Sequence, residues 1–220
     1  MPLTLYYHPL SSYCHKVLIA LYENGVHFER RLINLGEEAD RAELKALWPL
    51  AKFPVLKDDE RDVALPESSI IIEHLDRHYP STHPLLPLDA DAALQVRLWD
   101  RIVDNHVHSP LQRIVGDKIA NARANMDGLR ETIGTAYVIL DRQLAGRDWL
   151  AADHFTLADC AASPALFYAS TLQAFPSDCR HLAGYFERLM ARPSVHRTLE
   201  EAKPWFHLYP FQEAIPARFR

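Results

Sequence analysis

The feature that most constrains this chain is Phe53-Pro54-Val55, followed twelve residues after its proline by Pro66-Glu67-Ser68-Ser69. A lone X-Pro bond is usually a trans bond in a turn, and a Glu-Ser pair before an apolar run is usually only a helix start. Together, the two segments predict a strand at 55–57, an acidic turn at 58–62 and a strand at 63–65, with a helix after them. Such a hairpin beside a helix N-terminus can hold a small peptide or another anion through backbone polar groups.

The N-terminal residues predict the rest of a small α/β unit. Residues 3–7 have the composition of a short strand, and His8-Pro9-Leu10 ends it. An apolar-periodic helix then begins at Ser11-Ser12 and ends at Gly25, and a second strand follows at 27–33. The predicted order is therefore strand, helix, strand, a polar helical stretch, two strands and a helix.

This order of elements resembles a thioredoxin-like domain. With Ser11, Phe53-Pro54-Val55 and the Glu67-Ser68 pair in place, the chain resembles a cytosolic glutathione transferase of the serine type, similar to the theta and zeta classes. The resemblance extends over the whole chain, because a helical second half follows at the expected point. It implies glutathione as co-substrate, a small hydrophobic electrophile as second substrate, and a homodimer.

A change in composition marks the boundary between two predicted domains. Three prolines fall within residues 80–87, which cannot continue a helix and therefore predict a semi-rigid linker. We expect a thioredoxin-like α/β domain at 1–78, the linker at 79–88 and an all-α domain at 89–220.

The helical half carries two long amphipathic patterns and one capping motif. The first pattern runs from Ala90 to about Ala120, with a predicted break or bend near Ser109-Pro110, and the second spans Asn121 to Leu144. In the segment 155–159, Thr156 and Asp159 have the spacing of a capping box, and Phe155 is placed as a hydrophobic staple. The same cap is a recurrent folding element in the helical domain of glutathione transferases, so we interpret it as structural.

Composition argues against several classes of function. The net charge is −5 and no basic stripe is present, which argues against a nucleic-acid partner. No apolar run approaches the ~18 residues of a membrane span and no export signal is visible, so we expect a cytoplasmic protein without membrane association. The three cysteines have no C-x-x-C spacing and the twelve histidines no zinc signature, which predicts free, mostly buried thiols and no metal site.

The resemblance assigns the residues that would bind glutathione, which presents two carboxylates, one ammonium and one thiol. Glu67 would face the ammonium and Ser68 the carboxylate of the γ-glutamyl end, where the free N–H groups of a helix start favour an anion. The alternative is an ordinary helix cap. The Phe53-Pro54 bond is expected to be cis, which would turn the N–H and C=O of Val55 toward the cysteinyl backbone of the ligand. Lys52 would approach the glycyl carboxylate or lie solvated at the surface.

A hydroxyl at the start of the first helix is expected to activate the ligand thiol. A thiol pKa near 8.5 must fall by about two units to give mostly thiolate at neutral pH, which requires about 2.7 kcal/mol. A hydrogen bond to sulfur together with a helix N-terminus can supply that energy. By resemblance Ser11 is the donor, with Ser12 as the alternative. Cys14 lies where a redox motif has its second cysteine, but a serine stands in the first position, and packing is its expected role.

The site for the second substrate is expected to be apolar and formed by the helical domain. His106, His108 and Arg113 lie on the first long helix where it would pass the thiol, although each is equally compatible with a surface or core position. The aromatic tail at 203–211 is not expected to be helical throughout and can fold over the cleft.

These residues predict a transferase that attacks hydrophobic electrophiles with the thiolate of glutathione, or that reduces an organic peroxide with it. A glutathione-dependent isomerase of the maleylacetoacetate type is the enzymatic alternative, although the segment Ser11-Ser12-Tyr13-Cys14-His15-Lys16 departs from the Ser-Ser-Cys-Ser-Trp-Arg motif of that class. A non-catalytic scaffold or regulator with the same fold is the third interpretation. The presence of Ser11, Pro54, Glu67 and Ser68 argues against it.

Overall fold

A computed structural model describes residues 2–220. The chain divides into two compact units, an N-terminal unit that ends at Leu85 and a helical unit that comprises Leu86–Arg220. The division falls inside the segment predicted as a linker. Within residues 2–220, no helix is both long enough and apolar enough to cross a bilayer.

The N-terminal unit is built on a four-stranded mixed sheet with the strand order β2-β1-β3-β4. Strand β1 pairs in parallel with β2 and antiparallel with β3, which in turn pairs antiparallel with β4. This topology confirms the predicted thioredoxin-like domain. The strands are β1 (Leu3–Tyr7), β2 (Glu29–Leu32), β3 (Val55–Asp58) and β4 (Val63–Pro66), and the helices are α1 (Ser12–Glu23), α2 (Glu38–Leu47) and α3 (Ser68–His78).

Apolar side chains cover both faces of this sheet. On one face, Leu5 of β1 and Leu56 of β3 pack against buried residues of α1 and α3. On the other face, Val55 packs with Leu44 of α2. Since neighbouring residues of a strand point to opposite faces, the pair Val55 and Leu56 fixes which face each helix covers.

Asp58 corrects the predicted acidic turn, because it belongs to β3 and is fully buried, and only residues 59–62 form the turn. Its carboxylate accepts a hydrogen bond from His74 Nε2 at 2.8 Å and one from the Arg61 guanidinium at 3.3 Å. Burial raises the pKa of Asp58, but the hydrogen bonds from His74, Tyr79 and Arg61 outweigh it and hold this pKa below its ordinary value. The cluster joins the β3–β4 hairpin to α3.

We expect Asp58→Asn to lower the free energy of unfolding at neutral pH by about 1–3 kcal/mol. The asparagine NH2 group is a donor, and it would face the N–H donors of His74 and Arg61 without an acceptor between them. A carboxyl whose pKa is depressed in the folded state stabilises the protein above its unfolded pKa, near 3.9, and this contribution is lost as the pH falls through the folded value. The difference between the two proteins should therefore narrow below about pH 4. Urea unfolding at neutral and acidic pH tests this, with the exposed Asp62→Asn as control. A constant difference at both pH values would contradict it.

The helical unit confirms the predicted all-α domain. The first long helix is interrupted near Ser109-Pro110, as predicted, by a π-helical turn at Asp104–His108 that ends directly before Ser109. Pro110 lies in the first turn of the next helix, where a missing N–H is tolerated. The helices are α4 (Ala90–Val103), α5 (Ser109–Ala120), α6 (Asp127–Gln143), α7 (Leu157–Ser170), α8 (Arg180–Ala191) and α9 (Pro193–Ala202).

The second long helix, α6, begins six residues later than predicted, at Asp127 instead of Asn121. Asn121 ends α5 in the left-handed conformation, with φ of 51°, and Arg123 also has a positive φ, of 56°. Asparagine tolerates that conformation better than most residues, so it terminates one helix here instead of opening the next.

Helix α7 is buried along almost its whole length, and its N-terminus carries the predicted capping box. Asp159 Oδ2 accepts hydrogen bonds from the Thr156 N–H at 2.8 Å and the Thr156 hydroxyl at 2.9 Å. Asp159 Oδ1 accepts from the Leu150 N–H at 3.0 Å and the Tyr185 hydroxyl at 2.6 Å. This carboxylate therefore joins the start of α7 to the preceding loop and to α8, and desolvation by burial raises its pKa.

The C-terminal tail packs on the helical unit itself. It contains three short 3-10 turns and no α-helix, in agreement with the expectation that residues 203–211 are not helical throughout. Phe206 and Phe219 both contact Phe167 of α7, with ring centroids 6.1 and 5.4 Å away. Arg218 forms two hydrogen bonds, of 2.7 and 2.6 Å, with Glu187 of α8. These contacts anchor the tail to α7 and α8.

Candidate functional site

Ser11 is the N-cap of α1 and the more exposed of the two candidate serines. Its φ of −78° and ψ of 119° are extended, and its Oγ accepts a long hydrogen bond of 3.4 Å from the Cys14 N–H. Ser12 is only 2% exposed. A ligand at the start of α1 can therefore reach the hydroxyl of Ser11 but not that of Ser12.

Cys14 is a buried free thiol, as are Cys160 and Cys179. Desolvation by burial raises the pKa of Cys14 to about 12, against the opposing effect of hydrogen bonds from Ser11 and from the His8 backbone. A thiol with that pKa keeps its proton at neutral pH, and only the thiolate is a nucleophile. The geometry thus gives Cys14 a packing role next to Ser11.

Hydrogen bonds from both sides fix the loop that leads into Ser11. The His8 carbonyl accepts from the Ser11 N–H at 3.0 Å, and His8 Nδ1 accepts from the Leu10 N–H at 3.1 Å. From within α1, the buried His15 donates through Nε2 to the Pro9 carbonyl at 2.5 Å. Sequence reasoning treated residues 8–10 only as a strand terminator, and the one available signal was a histidine followed by proline.

The Phe53–Pro54 peptide bond is cis. The expected backbone role of Val55 is wrong, however, because its register partners are Tyr6 on β1 and Pro66 on β4. The N–H and C=O of one strand residue point to the same neighbouring strand, and this direction alternates along the chain. Two observations fix the direction of β3. The Asp59 N–H donates to the Pro2 carbonyl beside β1 at 2.8 Å, and Pro66 has no N–H to give Val55. The polar groups of Val55 are therefore used by Tyr6.

Phe53 lies two residues before Val55, where the ladder begins, and is half-buried. The ring stacks on His8, with the centroids 6.1 Å apart and the planes inclined by 22°. The loop that carries Ser11 and the loop that carries the cis bond are thereby in contact. Lys52 precedes Phe53 and is exposed.

The N-terminus of α3 has an unusual backbone conformation at Glu67, whose φ is 68° and ψ 106°. A non-glycine residue in such a conformation costs about 1–3 kcal/mol and is found mostly at functional sites. The exposed Glu67 side chain makes no capping hydrogen bond, and the first helical bond runs from the Ile71 N–H to the Glu67 carbonyl at 2.9 Å. The N–H groups of the first turn therefore have no partner within the helix, and Ser68 is 6% exposed there.

Lys16 makes a buried contact near the start of α3 that the sequence analysis did not predict. Its side chain is fully buried, although it belongs to an apolar helix, and its ammonium donates to Ser69 Oγ in the first turn of α3 at 2.8 Å. Lysine is almost never fully buried unless it is paired. This contact joins α1 to the helix start that Glu67 and Ser68 form.

Comparisons with known proteins place this arrangement in a family. Residues 5–83 match the family model of the glutathione S-transferase N-terminal domain, and residues 103–193 match that of the C-terminal domain. Glutathione S-transferase 3 of Zea mays is 32% identical over 210 residues, covering 90% of this chain and 93% of that protein. The chain belongs to the glutathione S-transferase family.

Two further relatives of this glutathione S-transferase family member have names that indicate different functions. A glutathione S-transferase of Methylobacterium radiotolerans, solved in complex with glutathione sulfonate, is 29% identical with a TM-score of 0.77, covering 89% of this chain and 93% of that one. A stringent starvation protein A homolog of Coxiella burnetii is 30% identical over 204 residues, covering 91% of this chain and 93% of that protein. One name denotes a transferase and the other does not.

The predicted electrophile residues of this family member differ in accessibility. His108 is fully buried in the helical unit, where its Nδ1 lies 3.5 Å from Asp104 Oδ1, so its expected contact with a substrate is wrong. It is the last residue of the π-helical turn, which rotates its side chain relative to a regular helix. His106 and Arg113 are exposed and remain candidates.

Proposed function

We propose that this chain is a serine-type glutathione transferase, which binds glutathione in its N-terminal unit and transfers the thiolate to hydrophobic electrophiles. The observation that carries the proposal is the N-terminus of α1, where Ser11 is only partly buried while Ser12 and Cys14 are buried. Of these three groups, only Ser11 can hydrogen-bond the sulfur of a ligand.

The hydrogen-bonding capacity of Ser11 supports this role. A hydroxyl has one donor and two acceptor sites. The Cys14 N–H occupies one acceptor site, and the side-chain hydrogen bond with Cys14 uses the hydroxyl proton. A ligand sulfur that replaces Cys14 as the acceptor of this proton would be stabilised as a thiolate. Together with the positive end of α1, this hydrogen bond is the source of the two or so units of pKa lowering that the ligand thiol needs.

The γ-glutamyl end is assigned to the start of α3. Its carboxylate would accept from the N–H groups of the first turn and from the Ser68 hydroxyl, and its ammonium would pair with Glu67. In this arrangement Glu67 pairs with the ligand ammonium, and the first-turn N–H groups bind the ligand carboxylate. This role in binding would explain why Glu67 keeps a backbone conformation that costs free energy.

The cysteinyl backbone of glutathione is assigned to Phe53 instead of Val55. Phe53 lies just outside the β3 ladder, so its N–H and C=O can add one antiparallel rung to a peptide ligand. Lys52, exposed beside it, is placed to attract the glycyl carboxylate.

The proposal has further parts. The same thiolate would also reduce organic peroxides, and His106 and Arg113 would contribute to the site for the second substrate. We also propose that the protein is a homodimer and is located in the cytoplasm.

Two measurements on the purified chain test the proposal. Calorimetric titration with glutathione should give saturable binding, and a chloronitroarene with glutathione should give enzyme-dependent conjugation. Binding without turnover of any electrophile or peroxide would favour a binding protein, and absence of binding would overturn the proposed function.

We expect Glu67→Ala to weaken glutathione binding by about 1.5–3 kcal/mol, since it removes one partner of a charged hydrogen bond. The fold should remain intact, because the Glu67 side chain caps no helix. Calorimetry measures the loss, with the exposed Glu38→Ala on α2 as control. An affinity equal to that of the wild type would exclude Glu67 from the site.

The 30% identity to a stringent starvation protein homolog supports a second candidate, a regulatory protein that uses the same fold for protein contacts. Such a protein needs no activated thiol. The two candidates separate on conjugation by the wild type, since a regulator should show no turnover that depends on Ser11.

A further inference from the structure

We propose that His8 is a positioning residue of the glutathione site. Its imidazole contacts both the Ser11 loop and the Phe53 loop and holds them in a fixed position relative to each other. This inference rests on the proposed function, because it concerns the two loops assigned to the ligand sulfur and the ligand backbone.

The first contact of the imidazole acts on the Ser11 side. Nδ1 accepts a hydrogen bond from the Leu10 N–H at 3.1 Å, which ties the side chain to the backbone directly before Ser11. An acceptor nitrogen carries no proton, so the neutral ring must hold its proton on Nε2. Burial lowers the pKa of His8, which favours this neutral form at physiological pH.

The second contact acts on the Phe53 side. The imidazole and the Phe53 ring lie nearly parallel, 22° apart in plane and 6.1 Å between centroids, within the range of stacked rings. Phe53 is the first residue of the cis peptide bond to Pro54, and β3 begins directly after Pro54. One side chain therefore contacts both loops, and its two contacts use different parts of the ring.

This division allows two variants to separate the contacts. His8→Asn keeps an acceptor, because an asparagine oxygen can take the N–H two residues further on, but it removes the ring from Phe53. His8→Phe keeps a ring on Phe53 but has no acceptor for the Leu10 N–H. A residue with a general structural role would not distinguish these two substitutions.

We expect His8→Phe to reduce kcat for conjugation about threefold to tenfold, the effect of one lost hydrogen bond on the Ser11 loop, with the Kd for glutathione within about twofold of the wild type. His8→Asn should raise the Kd for glutathione by a similar factor, about threefold to tenfold, with kcat at saturating glutathione retained. Hydrogen exchange of the Leu10 amide should accelerate in His8→Phe only.

Calorimetry, steady-state kinetics and hydrogen exchange of the full chain test the proposal. His27, an exposed histidine of the same unit, supplies the controls His27→Asn and His27→Phe, which should match the wild type. Changes of kcat and Kd in equal proportion in both His8 variants would overturn the positioning role, as would wild-type behaviour of both or unfolding of both. A wild-type chain that binds no glutathione overturns the proposed function and this role with it. If the wild type binds glutathione but kcat and Kd do not change separately in the two His8 variants, only the positioning role is overturned.

Discussion

Ser11→Ala should bind glutathione almost as well as the wild type but lose most of its conjugation rate near neutral pH. If the wild type lowers the thiol pKa from about 8.5 to about 6.5, the thiolate fraction at pH 6.5 falls from one half to roughly one hundredth when the hydroxyl is removed. A rate loss of about fifty-fold is therefore expected at that pH. Activity should recover as the pH rises toward 8.5, because the thiol then ionises without help.

Two neighbouring variants serve as controls for this prediction. Ser12 and Cys14 are both buried, so neither Ser12→Ala nor Cys14→Ala should reproduce the pH-dependent loss. Cys14→Ala is expected to change stability more than rate, since it leaves a small void behind Ser11. Steady-state kinetics across pH 6–9 measures all three. A loss in Ser12→Ala as large as that in Ser11→Ala would reverse the assignment.

Asp159→Ala should destabilise the helical unit severely while leaving glutathione affinity unchanged. Its carboxylate accepts four hydrogen bonds in a fully buried position. Each buried donor left without a partner costs about 1–3 kcal/mol, so the total loss should reach at least about 3 kcal/mol. For a chain of this size, that corresponds to a fall in Tm of roughly 6–12 °C.

The control for this prediction lies in the loop before α7. The Asp153 side chain is 98% exposed and accepts a hydrogen bond from its neighbour His154 at 2.8 Å, so Asp153→Ala should change Tm by little. Thermal unfolding and refolding kinetics compare the two variants. An unchanged unfolding midpoint and refolding rate in Asp159→Ala would show that the hydrogen bonds of this carboxylate contribute nothing to the folded state.

Local signals allowed much of this structure to be predicted from the sequence. The proline before a β-rich run, the serine before an amphipathic helix and the Thr156–Asp159 spacing each reflect contacts between residues a few positions apart. They determined the hairpin, the start of α1 and the cap of α7. The boundary between the two domains was also predicted from a local signal, the three prolines within residues 80–87.

The features that sequence reasoning missed depend on partners far along the chain. Asp58 has the sequence context of an acidic turn, and its burial requires His74 from α3. The direction of the Val55 backbone follows from strand register, which involves Pro2 and Pro66. The buried Lys16 donates a hydrogen bond to Ser69, which lies 53 positions further along the chain. In each case the residue type alone favoured the more common environment.

The most direct test of the central claim is the ionisation of glutathione in its complex with the protein. The ultraviolet absorbance of bound thiolate, titrated across pH, gives the thiol pKa for the wild type and for Ser11→Ala. If the Ser11 hydroxyl activates the thiol, the wild-type pKa will lie about two units below the free value near 8.5, and that of the variant close to 8.5. Equal pKa values in the two complexes would contradict it.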